Sequence, residues 1–224
     1  MKLVVLDPGH FHAALLQKSM YADIDPLVHV YAGDGPELAD YLKKIESYNA
    51  RPENPTSWRT EVRAGPHFLD RFAKDKAGEF VVIAGNNRRK EEYIGRAVAA
   101  GAHVLADKPM AINAAGFDAL VRAFADARDR GVLLYDIMTE RFEITSILQR
   151  ELVGDPDVFG EVIHGSEAEP GVFMESKHFL MKTVAGVPLR RPVWYFDVKE
   201  QGEGLSDVGT HLVGLVPWML QPGK

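Results

Sequence analysis

Short, continuous apolar runs alternate with stretches whose apolar residues fall three and four apart through the first 136 positions of the chain. The runs "LVVL" (3–6), "LVHVYA" (27–32), "EFVVIA" (79–84), "HVLA" (103–106) and "VLLYDI" (132–137) predict strands buried on both faces of a parallel sheet. "TEV" (60–62) predicts a short edge strand. Between them, Phe11, Ala14, Leu15 and Leu16 predict a helix over 10–21. Leu38, Tyr41, Leu42 and Ile45 predict a second, entered through Gly35-Pro36 with the proline in its first turn. Phe68, Leu69 and Phe72 mark a third, and Tyr93, Ile94, Ala97 and Val98 a fourth that ends at Gly101. Asn113 can cap a fifth, with Phe117, Leu120, Val121 and Phe124 as its core face and Gly131 at its end. Residues 49–59 read as a polar, proline-containing loop. This rhythm predicts an α/β fold, a doubly wound parallel sheet over residues 1–136.

The rhythm changes beyond residue 150. "VFGEVIHGSEAEPG" (158–171) predicts one long strand, and 172–204 is irregular and carries "RRPVWYFD". "SDVGTHLVGLVPWML" (206–220) predicts a helix that Pro217 ends or bends. A strand and one helix do not bury their own apolar face. Residues 137–224 are therefore expected to be the first part of a second domain, completed by further chain or by a partner.

Composition narrows the function. A net charge of −6 gives no basic face for nucleic acid. The absence of cysteine removes disulfides, zinc-thiolate sites and thiol nucleophiles, and it fits a reducing cytoplasm. "MKLVVLDPGH" turns into a strand too early for a signal peptide, and no apolar run approaches the roughly 20 residues of a membrane span. A cytoplasmic, soluble protein without a membrane partner is expected.

The first strand runs into "DPGHFH" (7–12), which has two readings. Histidines two apart on a strand share a face and can chelate a metal, as in amidohydrolase barrels. That site needs further ligands on a barrel of about 250 residues. Helical spacing beginning at Phe11 also puts His10 and His12 in a first turn, where they would splay apart. No metal is expected. The other reading is a phosphate turn, for which G-x-G-x-x-G provides close backbone approach and helix-terminal N–H groups. Here only the middle glycine, Gly9, is present. Tyr31 and Ala32 occupy the place of the acidic ribose ligand, with Asp34 slightly beyond, which leaves NAD and NADP both open. On these residues alone a plain structural turn is as good a reading.

Two further strings decide more. "VVIAGNNRRKEEYIGRAVAAGAHVLADKPMAINAAG" (81–116) and "GEGLSDVGTHLV" (202–213) resemble the glucose–fructose oxidoreductase / inositol dehydrogenase (Gfo/Idh/MocA) family. A-G-N-N (84–87) stands for the family's A-T-P-N-like turn, Asp107-Lys108-Pro109 for its E-K-P, and Asp207 and His211 for the D and H of G-G-G-x-x-x-D-x-G-x-H. The segment "RRPVWYFDV" marks one branch, and Arg141-Phe142 resembles an R-F segment to which no role is given. The resemblance spans the chain and identifies it as an apparently C-terminally truncated member.

The resemblance implies an N-terminal Rossmann domain (1–136) followed by the beginning of an α+β substrate and oligomerisation domain (137–224), with a mostly antiparallel sheet whose open face builds a homo-oligomer. It implies NAD or NADP as cofactor, held by Pro8, Gly9, His10, Phe11, His12, Ala84, Gly85, Asn86, Asn87, Asp107, Lys108 and Pro109. It implies hydride transfer between nicotinamide and a sugar, polyol or derivative. Lys108 and His211 would handle the proton and Asp207, four residues away on a helix, would orient His211. Trp194 and Tyr195 would line the sugar pocket. Departures are Asp107 for glutamate, Lys90 for a frequent histidine and Gly214 for a frequent aspartate. An NAD-dependent glycosidase of the same family and a non-catalytic nucleotide or sugar sensor are the alternatives.

Overall fold

Strands buried on both faces need helices above and below, and the chain provides them in alternation. The computed structural model describes residues 1–75, 79–177, 179–184 and 186–220. Strands β1 (Leu3–Leu6), β2 (Leu27–Ala32), β3 (Arg59–Ala64), β4 (Phe80–Ile83), β5 (His103–Ala106) and β6 (Leu134–Asp136) form one sheet in the order β3-β2-β1-β4-β5-β6. Every neighbouring pair is parallel. Helices α1 (Pro36–Ala50), α2 (Phe68–Asp75), α3 (Lys90–Ala99) and α4 (Ala114–Arg130) make the crossovers after β2, β3, β4 and β5, and short 3-10 turns make the one after β1. One apolar cluster joins Val4, Leu6, Val81 and Ile83 to Phe72, Ile94 and Val98. The other joins Leu3, Val5 and Val30 to Tyr41, Ile45 and Trp58 on the opposite face.

Local signals place the ends. Pro36 opens α1, and Asn113 caps α4 by accepting from the Gly116 amide at 2.8 Å. Gly131 closes α4 in the left-handed conformation at φ 68°.

Three expectations are corrected, and a fourth in part. Residues 10–21 hold two short 3-10 helices, Phe11–Ala14 and Leu16–Lys18, in place of one α-helix. The core face of α4 is Gly116, Ala123 and Ala127, while Phe117, Val121 and Phe124 point outward; Phe117 is 60% exposed. Small residues let α4 approach its neighbours closely, and that contact outweighs the larger side chains. Residues 158–171 form no long strand: Val158, Phe159, Val162 and Ile163 are exposed, with no neighbouring strand among the described residues to pair with. Pro217 lies inside a helix without ending it.

The chain divides into two units: Met1–Ile137 with Leu180–Glu203, and Met138–Phe179 with Gly204–Lys224. Residues 180–203, which the sequence suggested belong to the second domain, pack with the first. They carry a two-residue antiparallel pair, β7 (Thr183–Val184) and β8 (Val187–Pro188). The second unit contains α5 (Ile144–Val153) and the single-turn α6 (Pro156–Phe159). The single-turn α7 (Val198–Gln201) belongs to the first unit, and the second ends in a π-helical turn, Leu205–Gly209, and α8 (Thr210–Leu220). No helix among the described residues is long and apolar enough to cross a membrane.

Candidate active site

The strand order reverses between β1 and β4, so their carboxyl ends open a crevice that neither crossover covers. The two turns there meet closely. Asp7 sits at φ 49°, and its carbonyl would lie 2.1 Å from a Cβ on Gly85, so only glycine fits. A Cβ on Gly9 would meet the Trp194 ring at 3.1 Å and Gly85 at 3.3 Å. Beside these turns lies a cavity of about 210 Å³, walled by Pro8 and Gly9, by Gly33 and Asp34 after β2, by Glu37 and by Asn86. The Tyr93 hydroxyl donates to Asp7 at 3.0 Å, yet burial holds the Asp7 carboxyl above its usual range.

Pro8–His12, Ala84–Asn87 and Asp107–Pro109 follow three adjacent strands, β1, β4 and β5, and so come together. His10 and His12 do not splay apart as expected. His10 precedes the 3-10 helix with extended backbone, and both imidazoles reach Asp107: His12 Nδ1 is 2.9 Å from Oδ1, and His10 Nδ1 is 3.2 Å from Oδ2. Burial drives the His10 pKa down to about 3. Burial alone would raise Asp107, but the two histidines outweigh it and hold the carboxyl well below its usual range.

The donor atoms of these three residues lie within 4.8 Å of one another, a spacing that could hold a metal ion. Arg191 opposes that use. Its guanidinium is 3.2 Å from His10 Nε2, which sets a fixed positive charge against one of the three ligands.

Lys108 is buried at the end of β5, and its peptide to Pro109 is cis. Lys90, one of the family departures, has a role that sequence alone does not show. Fully buried, its ammonium donates to Asn87 Oδ1 at 2.5 Å and to the Asp107 carbonyl at 3.1 Å, joining the β4 turn to the end of β5. A lysine three residues after Asn87 at a helix start was the available signal.

Segment 180–203 seals this side. Asn86 Nδ2 donates to Glu200 at 2.8 Å, and Asn87 Nδ2 to the Gln201 carbonyl at 2.8 Å. Trp194 borders the turn after β1, and Tyr195 stacks under the Arg191 guanidinium at 4.4 Å.

Asp207 and His211 belong to the second unit. Asp207 is buried in the π-helical turn, which breaks the four-residue α-helical spacing expected between the two. The carboxylate on His211 is that of Glu140, whose Oε2 lies 2.6 Å from Nδ1. Burial would raise Glu140, but the His211 contact outweighs it and lowers its pKa. Glu140 precedes the Arg141-Phe142 pair; nothing in its spacing from His211 could reveal the contact.

The sequence profile described as "Oxidoreductase family, NAD-binding Rossmann fold" matches residues 9–135, more than half of the chain. The chain belongs to this family. A second profile, "Putative oxidoreductase C terminal domain", matches residues 148–224. Among solved structures, a "putative oxidoreductase" from Parabacteroides merdae is 50% identical with a TM-score of 0.93; the match covers 100% of this chain and 51% of that one. The chain thus spans about half the length of that relative. GenD2 from gentamicin A biosynthesis, solved with NAD, is 21% identical over 98% of this chain and 54% of its own, with a TM-score of 0.64. Biliverdin reductase from Synechocystis sp. PCC 6803, solved with biliverdin and NADP+, is 15% identical over 96% and 57%, with a TM-score of 0.62. These last two share the fold. A search of curated proteins gives no match.

The first unit is accordingly the NAD-binding Rossmann domain of an oxidoreductase-family chain. Its residues fit a dinucleotide: two glycines let the turns after β1 and β4 close on each other at the strand-order reversal, and a cavity opens beside them toward Asp34.

Proposed function

We propose that the chain carries the nucleotide-binding half, and the start of the substrate half, of a dehydrogenase acting on a hydroxyl of a sugar, polyol or derivative. The observation that carries this reading is the pairing of a close glycine double turn at the strand-order reversal, and the cavity beside it, with a lysine buried at the end of the next strand, β5. When bound, NAD supplies a hydride acceptor or donor at C4 of its nicotinamide.

The residues around it have separable tasks. Pro8, Gly9 and the Ala84–Asn87 turn support the dinucleotide. Asp34 and Glu37 line the cavity after β2, where carboxylates accept from a ribose 2′-hydroxyl and repel a 2′-phosphate; this favours NAD over NADP. Lys108 shares the proton of the reacting hydroxyl. His211 takes the proton as base, oriented through Nδ1 by Glu140, which leaves Nε2 as its working nitrogen. Asp207 was the orienting residue expected from the resemblance; the contact at 2.6 Å from His211 Nδ1 supports Glu140 in that part. A cysteine-free chain fits a cytoplasmic setting, and the family resemblance supports a homo-oligomer.

Titration of the purified chain with NADH and NADPH, followed through tryptophan fluorescence, tests the cofactor part. Saturable quenching by NADH and a weaker response to NADPH are expected, because Trp194 borders the turn. A folded sample that binds neither nucleotide would refute the proposal. Net NADH formation in a screen of polyols and aldoses tests the substrate class.

A further inference from the structure

A dinucleotide carries a doubly charged diphosphate across the turn after β1, and this turn is poorly equipped to meet it. The amides of Gly9 and His10 both donate to the Ala84 carbonyl, at 3.1 and 2.9 Å, so they are turned toward β4. The helix that follows, Phe11–Ala14, is a single 3-10 turn with little dipole to offer. Cations arrive instead from residues 180–203. Arg191 reaches His10 Nε2 at 3.2 Å, Lys182 Nζ sits 4.7 Å from the Phe11 ring centroid, and Arg190 and Arg191 both line a cavity of about 410 Å³ shared with Gly9, His10 and Phe11. Glu37 and Asp40 line the same cavity. Its walls therefore hold charges of both signs, with the two guanidiniums contributed by the same segment as Trp194.

We infer that Arg191, assisted by Arg190, binds the diphosphate of the dinucleotide in the cavity between the "PGHF" turn and residues 189–194. This rests on the nucleotide-binding reading of the first unit and adds a recognition element to it. A guanidinium presents paired N–H donors that match two phosphate oxygens, a geometry that lysine lacks. His10 has a supporting part. Its Nδ1 lies 3.2 Å from Asp107 Oδ2 and its Nε2 3.2 Å from the Arg191 guanidinium, so the buried imidazole stands between the acid and the guanidinium and helps to place the latter at the turn.

The test compares adenosine, which lacks the diphosphate, with three ligands that carry it. Binding of ADP, ADP-ribose, NADH and adenosine is measured calorimetrically on the wild-type chain and on Arg191→Ala, Arg191→Lys and Arg190→Ala. Arg191→Ala should weaken the three diphosphates by about 10- to 100-fold, the range of a lost charge-assisted pair, and leave adenosine within about twofold. Arg191→Lys should recover part of that loss, and Arg190→Ala should show a smaller one. Equal losses for adenosine and ADP would assign Arg191 a structural role and overturn the inference; so would unchanged diphosphate binding. If the folded wild-type chain bound none of the four, the nucleotide reading itself would fall, and with it this inference.

Discussion

Glu140 and His211 show how much one side-chain contact changes the chemistry assigned to a residue. A histidine held through Nδ1 by a carboxylate keeps Nε2 available as an acceptor; without the carboxylate the two tautomers compete. Glu140→Gln preserves size and removes the charge. With His211 as the base, it should lower turnover on the order of 100-fold, with nucleotide affinity unchanged. Nitrogen NMR of His211 in the variant should show mixed tautomers where the wild type shows proton on Nδ1. An altered tautomer with unaltered turnover would remove His211 from the reaction and keep the pairing. An unaltered tautomer would remove Glu140 from its role. His211 stood out through its family-like string, but the part of Glu140 could not be read from position, since it lies 71 residues before His211 and the four-residue spacing pointed to Asp207.

At the scale of elements, the carboxyl ends of β1, β4 and β5 act together as one platform. Lys90 ties the second to the third, and the Gly85 approach joins the first to the second. Gly85→Ala places a methyl 2.1 Å from the Asp7 carbonyl, a clash with backbone that no rotamer relieves. The turn must shift, at a cost of about 1–3 kcal/mol in a urea melt, and NADH affinity should fall with it. Retained affinity at wild-type stability would mean that the turns are looser than their contact implies. The helices were legible because burial writes itself into periodicity: Tyr93, Ile94, Ala97 and Val98 were expected inside and lie inside. Helix α4 escaped the same logic. Its large apolar residues form a stripe, but the sheet side needs small ones, and hydrophobicity does not distinguish a face that packs closely from one left outward.

For the molecule as a whole, the buried His10–Asp107 pair links stability to pH. His10 titrates at 6.5 when unfolded and at about 3 when folded, so between those values the unfolded chain holds more protons. Its contribution is full above 6.5 and is lost as pH falls toward 3. Asp107, depressed below 3.8, adds a loss as pH falls below that value. Asp7, raised above 3.8, works oppositely, withdrawing stability as pH rises from 3.8 through its folded value. Urea midpoints should therefore fall from pH 7 to pH 5, and His10→Gln should flatten that slope. An equal slope in the variant would mean that His10 is not the titrating group.

By itself the sequence determined the alternating α/β order, the turn at Gly9, the buried strands and the family, because each is written in neighbouring residues or short strings. Tertiary structure alone decided which side chains meet. His12 reaches Asp107 across 95 residues, Arg191 reaches His10 across 181, and segment 180–203 returns to the first unit. Periodicity records only whether a position is buried. What it is buried against depends on how distant strands and turns are brought together, and that is set by the sheet order and the packing of the whole chain.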